Sequence, residues 1–296
     1  MSTTYYNRFM LEDLDDNTIT LKLPRRKIFR LGKVAMYYDW ETESAPFLSM
    51  YIEETDTKAA KAEINTIIGF LSYLYGYDLI ASNHVMLWKR EIPKDMEEIA
   101  LNTTNNNLQN IFVFYNALNN LEDVERKIVN QSIAYYAKAL RLMDFRLYDE
   151  AFLVGYKSME IIFNHLFSIH YNKQFEEDIK NIVKELIKKH FDEDYKGQNK
   201  DLGIQKSIFK ELKELITARR KAVNSLRFLG LDKYNNQLGK VVQARNSVGA
   251  HASGTDTTID NHLIDESLSL AFKVISRMVI RDNDDIALAV SGEKKF

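Results

Sequence analysis

Three side chains between residues 243 and 251 could together cleave a phosphodiester bond, namely Arg245, Asn246 and His251. Arginine carries a permanent positive charge and a planar fork of donors that matches a phosphate group. Histidine exchanges protons near neutral pH, which suits a general base or a general acid. RNA cleavage needs a base at the 2′-hydroxyl, an acid at the leaving 5′-oxygen and positive charge at the phosphate. We therefore predict that Arg245 binds the phosphate, that His251 moves the proton and that Asn246 orients the phosphate or its neighbour.

The spacing of these residues restricts how they can meet. A helix turns by about 100° per residue, so six steps place Arg245 and His251 on different sides of a straight helix. Gly249 lies between them, and glycine permits a helix to end or bend. We expect the helix to end near Gly249 and His251 to fold back toward Arg245. One chain supplies a single motif histidine, so a homodimer would supply both a base and an acid without a metal.

Other polar residues have simpler explanations or two open ones. His165 and His170 lie five positions apart, which does not suit a same-face metal pair, and packing explains them better. Glu160 could hold Arg245 or His251, or it could be an ordinary surface glutamate. A basic stretch before the motif could flank an RNA path or form a solvated helix face. Its members are Lys206, Lys210, Lys213, Arg219, Arg220, Lys221 and Arg227.

The composition limits the class of protein. The chain has 296 residues and a hydrophobic content of 45%, enough to build a substantial core. Its 40 basic and 42 acidic residues nearly balance, so contact with nucleic acid should be local. The absence of cysteine excludes disulfides, thiolate zinc sites and cysteine nucleophiles. We find no apolar leader and no membrane-spanning run, and we expect a cytoplasmic protein without a membrane contact, a metal or a cofactor.

Two regions with different residue patterns must position the motif. All prolines lie before residue 94, in a region of short alternating runs, whereas the later chain is periodic at helical spacing. We predict strands at 18–23, 33–38, 47–52 and 85–89, and a helix at Thr57–Tyr75. A loop and boundary are predicted at 101–110, and 111–115 could be a last strand or a helix start. Further helices are predicted at 124–143, 149–170, 175–191, 204–229, 234–248 and 259–281.

The motif and its helical surroundings resemble a known family. Arg245 and Asn246, four further residues and then His251 resemble the signature of HEPN domains, in which a histidine follows the arginine by a few positions. The stretch 149–160 looks like the helix of ApeA-like HEPN proteins that packs beside this motif. The fold expected is α+β, with a mixed strand and helix region at 1–115, an all-α HEPN bundle at 121–281 and a frayed tail at 282–296.

The resemblance also implies a function. HEPN families are often metal-independent endoribonucleases, many act as homodimers with two motifs in one cleft, and they recur in prokaryotic defence and toxin systems. RNA would be the substrate, and a phage-derived trigger or an antitoxin would be a further partner. The region 1–115 would sense a signal or bind a partner. Two alternatives stay open: a non-catalytic HEPN module that binds RNA, nucleotide or a protein, and a regulatory adaptor whose HEPN domain only dimerises.

Overall fold

A computed structural model describes the chain in separate stretches. These are residues 3–11, 18–40, 46–79, 87–93, 98–99, 106–171, 173–175, 177–179, 181–182, 185, 218–250 and 259–281. The described residues form a small antiparallel sheet followed by a largely helical region, which confirms the predicted α+β class.

The N-terminal sheet has five strands in the order β2-β3-β4-β1-β5. They are β1 (Thr3–Met10), β2 (Ile28–Leu31), β3 (Val34–Asp39), β4 (Phe47–Glu54) and β5 (Trp88–Lys89). One face of the sheet carries large apolar side chains such as Phe9, Met36 and Met50, each fully buried. This face packs against the first helix, so the sheet and the helix share an apolar core.

Helix α1 spans Thr57–Tyr75, as its apolar spacing predicts. The Asp56 side chain accepts hydrogen bonds from the first turn, and Gly76 ends the helix with a φ of 72°, a conformation that favours glycine. The predicted stripe is buried, because Ile64, Ile67 and the later apolar residues of the stripe are at most 2% exposed.

From α3 onward, the helical region agrees with the predicted helices wherever the chain is described. Its helices are α2 (Asn106–Asn119), α3 (Asp123–Asp144), α4 (Tyr148–His170), α5 (Ala218–Phe228), α6 (Asn235–Ala250) and α7 (Asn261–Val279), with a short 3₁₀ turn at Asp232–Tyr234. Residues 204–217 of the predicted fourth helix, most of 175–191 and the tail 282–296 lie outside the described residues.

The two regions of the sequence share one hydrophobic core. The Tyr73 hydroxyl on α1 donates to the Phe272 carbonyl at 3.1 Å and lies 2.7 Å from the Ser276 hydroxyl, both on α7. Tyr73 also stacks on the Phe272 ring, with centroids 4.8 Å apart. Helix α1 therefore packs against the sheet on one side and against the helical bundle on the other.

Two predicted elements differ from the structure. The stretch 18–23 is not a ladder strand, although Ile19, Leu21 and Leu23 are buried in the predicted alternation. The backbone N–H of Ile19 donates to the Leu11 carbonyl and that of Leu21 to the Tyr38 hydroxyl, so no neighbouring strand is needed. The expected loop at 101–110 also gives way to α2 from Asn106, and 111–115 lies inside this helix.

Candidate functional site

Helix α6 turns Arg245 toward the bundle. Leu238 and Val241 are fully buried on this helix, and Arg245 follows them at the next helical step of the same face. An apolar stripe therefore ends in an arginine. Its position on this face directs the guanidinium toward α4.

The Arg245 guanidinium lies between a carboxylate and an aromatic ring of α4. Its Nη2 atom is 3.6 Å from Oε1 of Glu160, and its central carbon is 5.6 Å from the ring centroid of Tyr156. Tyr156 and Glu160 are one helical turn apart, so both face α6. The prediction that Glu160 could reach Arg245 is confirmed. The Arg245 side chain is still 40% exposed, so a ligand in solvent can reach it.

Glu160 is shared between two cations. Nζ of Lys157 donates to its Oε2 at 2.7 Å, from one turn earlier on the same helix. Two positive charges around one carboxylate leave a local excess of one positive charge. The Nη1 atom of Arg245 is not engaged by Glu160 and donates to the side-chain oxygen of Asn246, at 3.3 Å. The cluster can therefore accept an anion beside Arg245.

Tyr156 is a member of this cluster that the sequence did not single out. The residue is 2% exposed, and its hydroxyl has no hydrogen-bond partner among the described residues. Burial, reinforced by the Glu160 carboxylate and opposed by Arg245, raises the pKa of Tyr156 to about 12. The hydroxyl therefore stays protonated. The available signal was its position one turn before Glu160 on a predicted helix.

The remaining motif residues are described only in part. Asn246 is exposed beside Arg245, whereas His251 lies outside the described residues. Helix α6 includes Gly249 and extends to Ala250, one residue past the expected helix end near Gly249. The approach of His251 to Arg245 stays a prediction.

Further basic residues lie along the same face of α4. Nζ of Lys221, on α5, is 3.4 Å from Oδ1 of Asn164, which is one turn beyond Glu160. Arg219, also on α5, contacts α6 instead: its guanidinium lies 3.6 Å from the position that a Cβ at Gly239 would take. Lys206, Lys210 and Lys213 of the predicted basic stretch lie outside the described residues. Cations of α5 and α6 therefore border one stretch of α4.

The two histidines of α4 have packing roles. His170 stacks on Phe228 with ring centroids 3.9 Å apart, as expected for packing at a helix end. His165 is half-buried, and burial lowers its pKa, an effect that Glu125 opposes. Within the described stretches, no group of three or more histidines, aspartates or glutamates is arranged to hold a metal ion.

Comparisons with known proteins give no relative. No family model, no curated protein and no solved structure matches the chain. None of the helices in the described stretches is both long and apolar enough to cross a membrane.

Proposed function

We propose that the chain is a metal-independent endoribonuclease of the HEPN type, acting in a prokaryotic defence or toxin system. The observation that supports this most directly is the placement of Arg245. An interhelical carboxylate and a buried ring hold its guanidinium, which stays 40% exposed beside the exposed amide of Asn246. An arginine held in place but still open to solvent suits a phosphate whose negative charge grows during the reaction.

The reaction follows from the chemistry of RNA. A base removes the proton of the 2′-hydroxyl, and the resulting oxygen attacks the adjacent phosphorus. The bond to the 5′-oxygen breaks, and an acid protonates that leaving oxygen. In the proposal His251 supplies the base or the acid, Arg245 donates to the non-bridging phosphate oxygens, and Asn246 orients the phosphate or its neighbour.

A second copy of the chain completes the proposed site. The base acts at the 2′-hydroxyl and the acid at the leaving 5′-oxygen, so two groups are needed. One chain supplies a single motif histidine. Two chains that face each other would bring two histidines and two arginines to one cleft. The cations of α4, α5 and α6 would then bind the flanking phosphates, since phosphate contacts supply much of the affinity for RNA.

One observation favours a non-catalytic alternative. Arg245 already has a carboxylate partner in Glu160, and an ion pair between neighbouring helices can serve the fold alone. In that case the chain would be a HEPN module that binds RNA, nucleotide or a protein without cutting. The alternative predicts that RNA remains intact while Arg245→Ala weakens folding or binding.

The test is RNA cleavage by the purified protein in excess chelator. Wild type should cut RNA, whereas Arg245→Ala and His251→Ala should be folded and cut at least about a hundredfold more slowly. Arg30→Ala and His262→Ala are matched controls, because Arg30 forms an exposed ion pair with Glu98 and His262 is 77% exposed on α7. Both controls should cut as wild type does. Equal cleavage by wild type and Arg245→Ala would exclude the catalytic assignment.

A further inference from the structure

A groove lies between α1, α2 and α3, and its described lining includes no residue of α6, the helix that carries Arg245. Its volume is about 750 Å³, within the usual range of ligand sites. Small residues on the lining leave the groove deep, among them Gly69 of α1 and Ala134 and Ala137 of α3. A Cβ atom built on Gly69 would have no heavy atom within 4 Å. The missing side chain therefore leaves room for one apolar side chain of a ligand.

The groove follows α1 and α3, which run in the same direction. The rings of Tyr73 on α1 and Tyr136 on α3 are 5.3 Å apart. Five residues later in both segments, Nε of Arg141 is 3.3 Å from the Asp78 carboxylate, so the contacts advance in the same direction along both segments. Lys61 thus lies near one end of the groove and Lys138 near the other. At a rise of 1.5 Å per residue the two ends are about 20 Å apart, the length of about six residues of extended chain.

The lining as a whole carries an excess of positive charge, with the cations of Lys61, Arg126, Lys138 and Arg141 against the carboxylates of Glu63 and Asp78. Arg141 pairs with the buried carboxylate of Asp78, and Arg126 pairs with Asp123. Lys61 and Lys138 line the groove without an ion-pair partner in the described part of the chain. Glu63, two residues from Lys61, is the remaining carboxylate on the lining and offsets one of these two cations. The excess of cations that remains favours an acidic ligand over a basic one.

Amide side chains line the middle of the groove. Asn65 of α1 and Asn130 of α3 make no side-chain hydrogen bond with any described residue. A carboxamide both donates and accepts, which matches the N–H and C=O groups of an extended backbone. Amides with free donors and acceptors, together with the lysines of the lining, suit a peptide better than a simple ion.

We propose that this groove binds an extended acidic segment of a partner protein. About six residues of the segment would span the groove, with carboxylates near Lys61 and Lys138. Its backbone would bond to Asn65 and Asn130, and one large apolar side chain would fill the space opposite Gly69. This proposal does not depend on RNA cleavage.

The test measures the binding of labelled peptides to the full chain by fluorescence anisotropy. The probe has two glutamates on each side of a central leucine, with serine spacers. It should bind saturably and more weakly as salt rises, whereas versions with lysine for glutamate or glycine for leucine should bind at least about tenfold more weakly. Lys138→Glu and Gly69→Leu should each lower affinity by at least about tenfold, and Lys89→Glu, on the exposed edge of the sheet, should leave it unchanged.

Several outcomes would overturn the proposal. Absence of saturable binding would do so, as would equal affinity of wild type and Lys138→Glu, an exposed substitution that should not disturb folding. Equal binding of the lysine peptide would exclude charge complementarity. Residues 282–296 begin with an acidic stretch that contains Asp282, Asp284 and Asp285. A gain in peptide affinity after deletion of these residues would show that the chain's own C-terminal segment occupies the groove instead of a partner.

Discussion

The Nη2 atom of Arg245 lies 3.6 Å from the Oε1 atom of Glu160, across the interface between α6 and α4. The same carboxylate also accepts a hydrogen bond from Lys157. The motif arginine is therefore held by a neighbouring helix, and its orientation depends on a residue that lies outside the motif. If Arg245 contacts RNA, Glu160 acts as a positioning residue.

Glu160→Gln tests this positioning role. The variant keeps the shape of the side chain but loses the charge that holds the guanidinium, so RNA cleavage should fall by about tenfold to a hundredfold. The loss should be small in the Arg245→Ala background, because both substitutions act through one contact. Stability should change by less than about 1 kcal/mol, since the pair is partly exposed. Initial rates of RNA cleavage and urea unfolding measure both effects.

The matched control for this prediction is Glu150→Gln, an exposed glutamate in the first turn of the same helix. It should leave cleavage unchanged. Additive losses from Glu160→Gln and Arg245→Ala would show that the two residues act separately.

Helical spacing predicted much of the fold because apolar residues that recur at this spacing form a stripe on one helix face, and that face is buried. The α1 helix and the positions of α3, α4 and α7 follow directly from such stripes. Strand β1 was missed because Tyr5 and Tyr6 point to opposite faces and are both buried, which removes the alternation that marks a strand. The strand predicted at 18–23 is wrong because alternating burial does not require a hydrogen-bonded neighbouring strand.

The candidate site was predictable only in part. Arg245 and Asn246 stand out by their types, and Glu160 could be found by its place on a helix. The contact with Tyr156 depends on how α4 and α6 cross, which no local pattern encodes. The groove between α1, α2 and α3 could not be predicted either, because it results from side chains that are small or absent at Gly69, Ala134 and Ala137.

Tyr73→Phe tests whether the sheet region and the bundle fold as one unit. The variant removes the hydroxyl that bonds to Ser276 and to the Phe272 carbonyl in the shared core. Loss of these buried bonds should lower the free energy of unfolding by about 1–3 kcal/mol in a single transition. Thermal and urea unfolding measure the loss. Tyr77→Phe, at a residue 46% exposed, should change little. Separate transitions for the two regions would contradict a shared core.

Two helix glycines should respond to alanine with opposite signs. At Gly155 an added Cβ would lie 3.0 Å from Cδ2 of Leu268, so Gly155→Ala should destabilise the protein by about 1 kcal/mol despite its better helix propensity. At Gly69 the same atom meets open space, so Gly69→Ala should stabilise the protein by about 0.5–1 kcal/mol. Urea unfolding of the two variants measures both effects. A shift of the same sign at both positions would contradict the packing described between α4 and α7.

His165 should make stability depend on pH. Burial lowers its pKa from the ordinary value of 6.5, with Glu125 opposing this shift and His170 and Arg281 adding to it. The unfolded chain then binds more protons than the folded chain just below pH 6.5, so stability is lost as the pH falls through that value. Unfolding free energies of wild type and His165→Gln at pH 7.5 and 5.5, set about one unit to either side, should show a smaller loss in the variant. An equal loss would mean that other groups cause it.

The end groups of cleaved RNA test the central claim most directly. Attack by the 2′-hydroxyl predicts a 2′,3′-cyclic phosphate on one product and a 5′-hydroxyl on the other, formed in excess chelator and detected by mass spectrometry. A 2′-deoxy substitution at the cut position should block the reaction, and Arg245→Ala should form at least about a hundredfold less product. Products with 3′-hydroxyl and 5′-phosphate ends, or equal product from Arg245→Ala, would contradict the account.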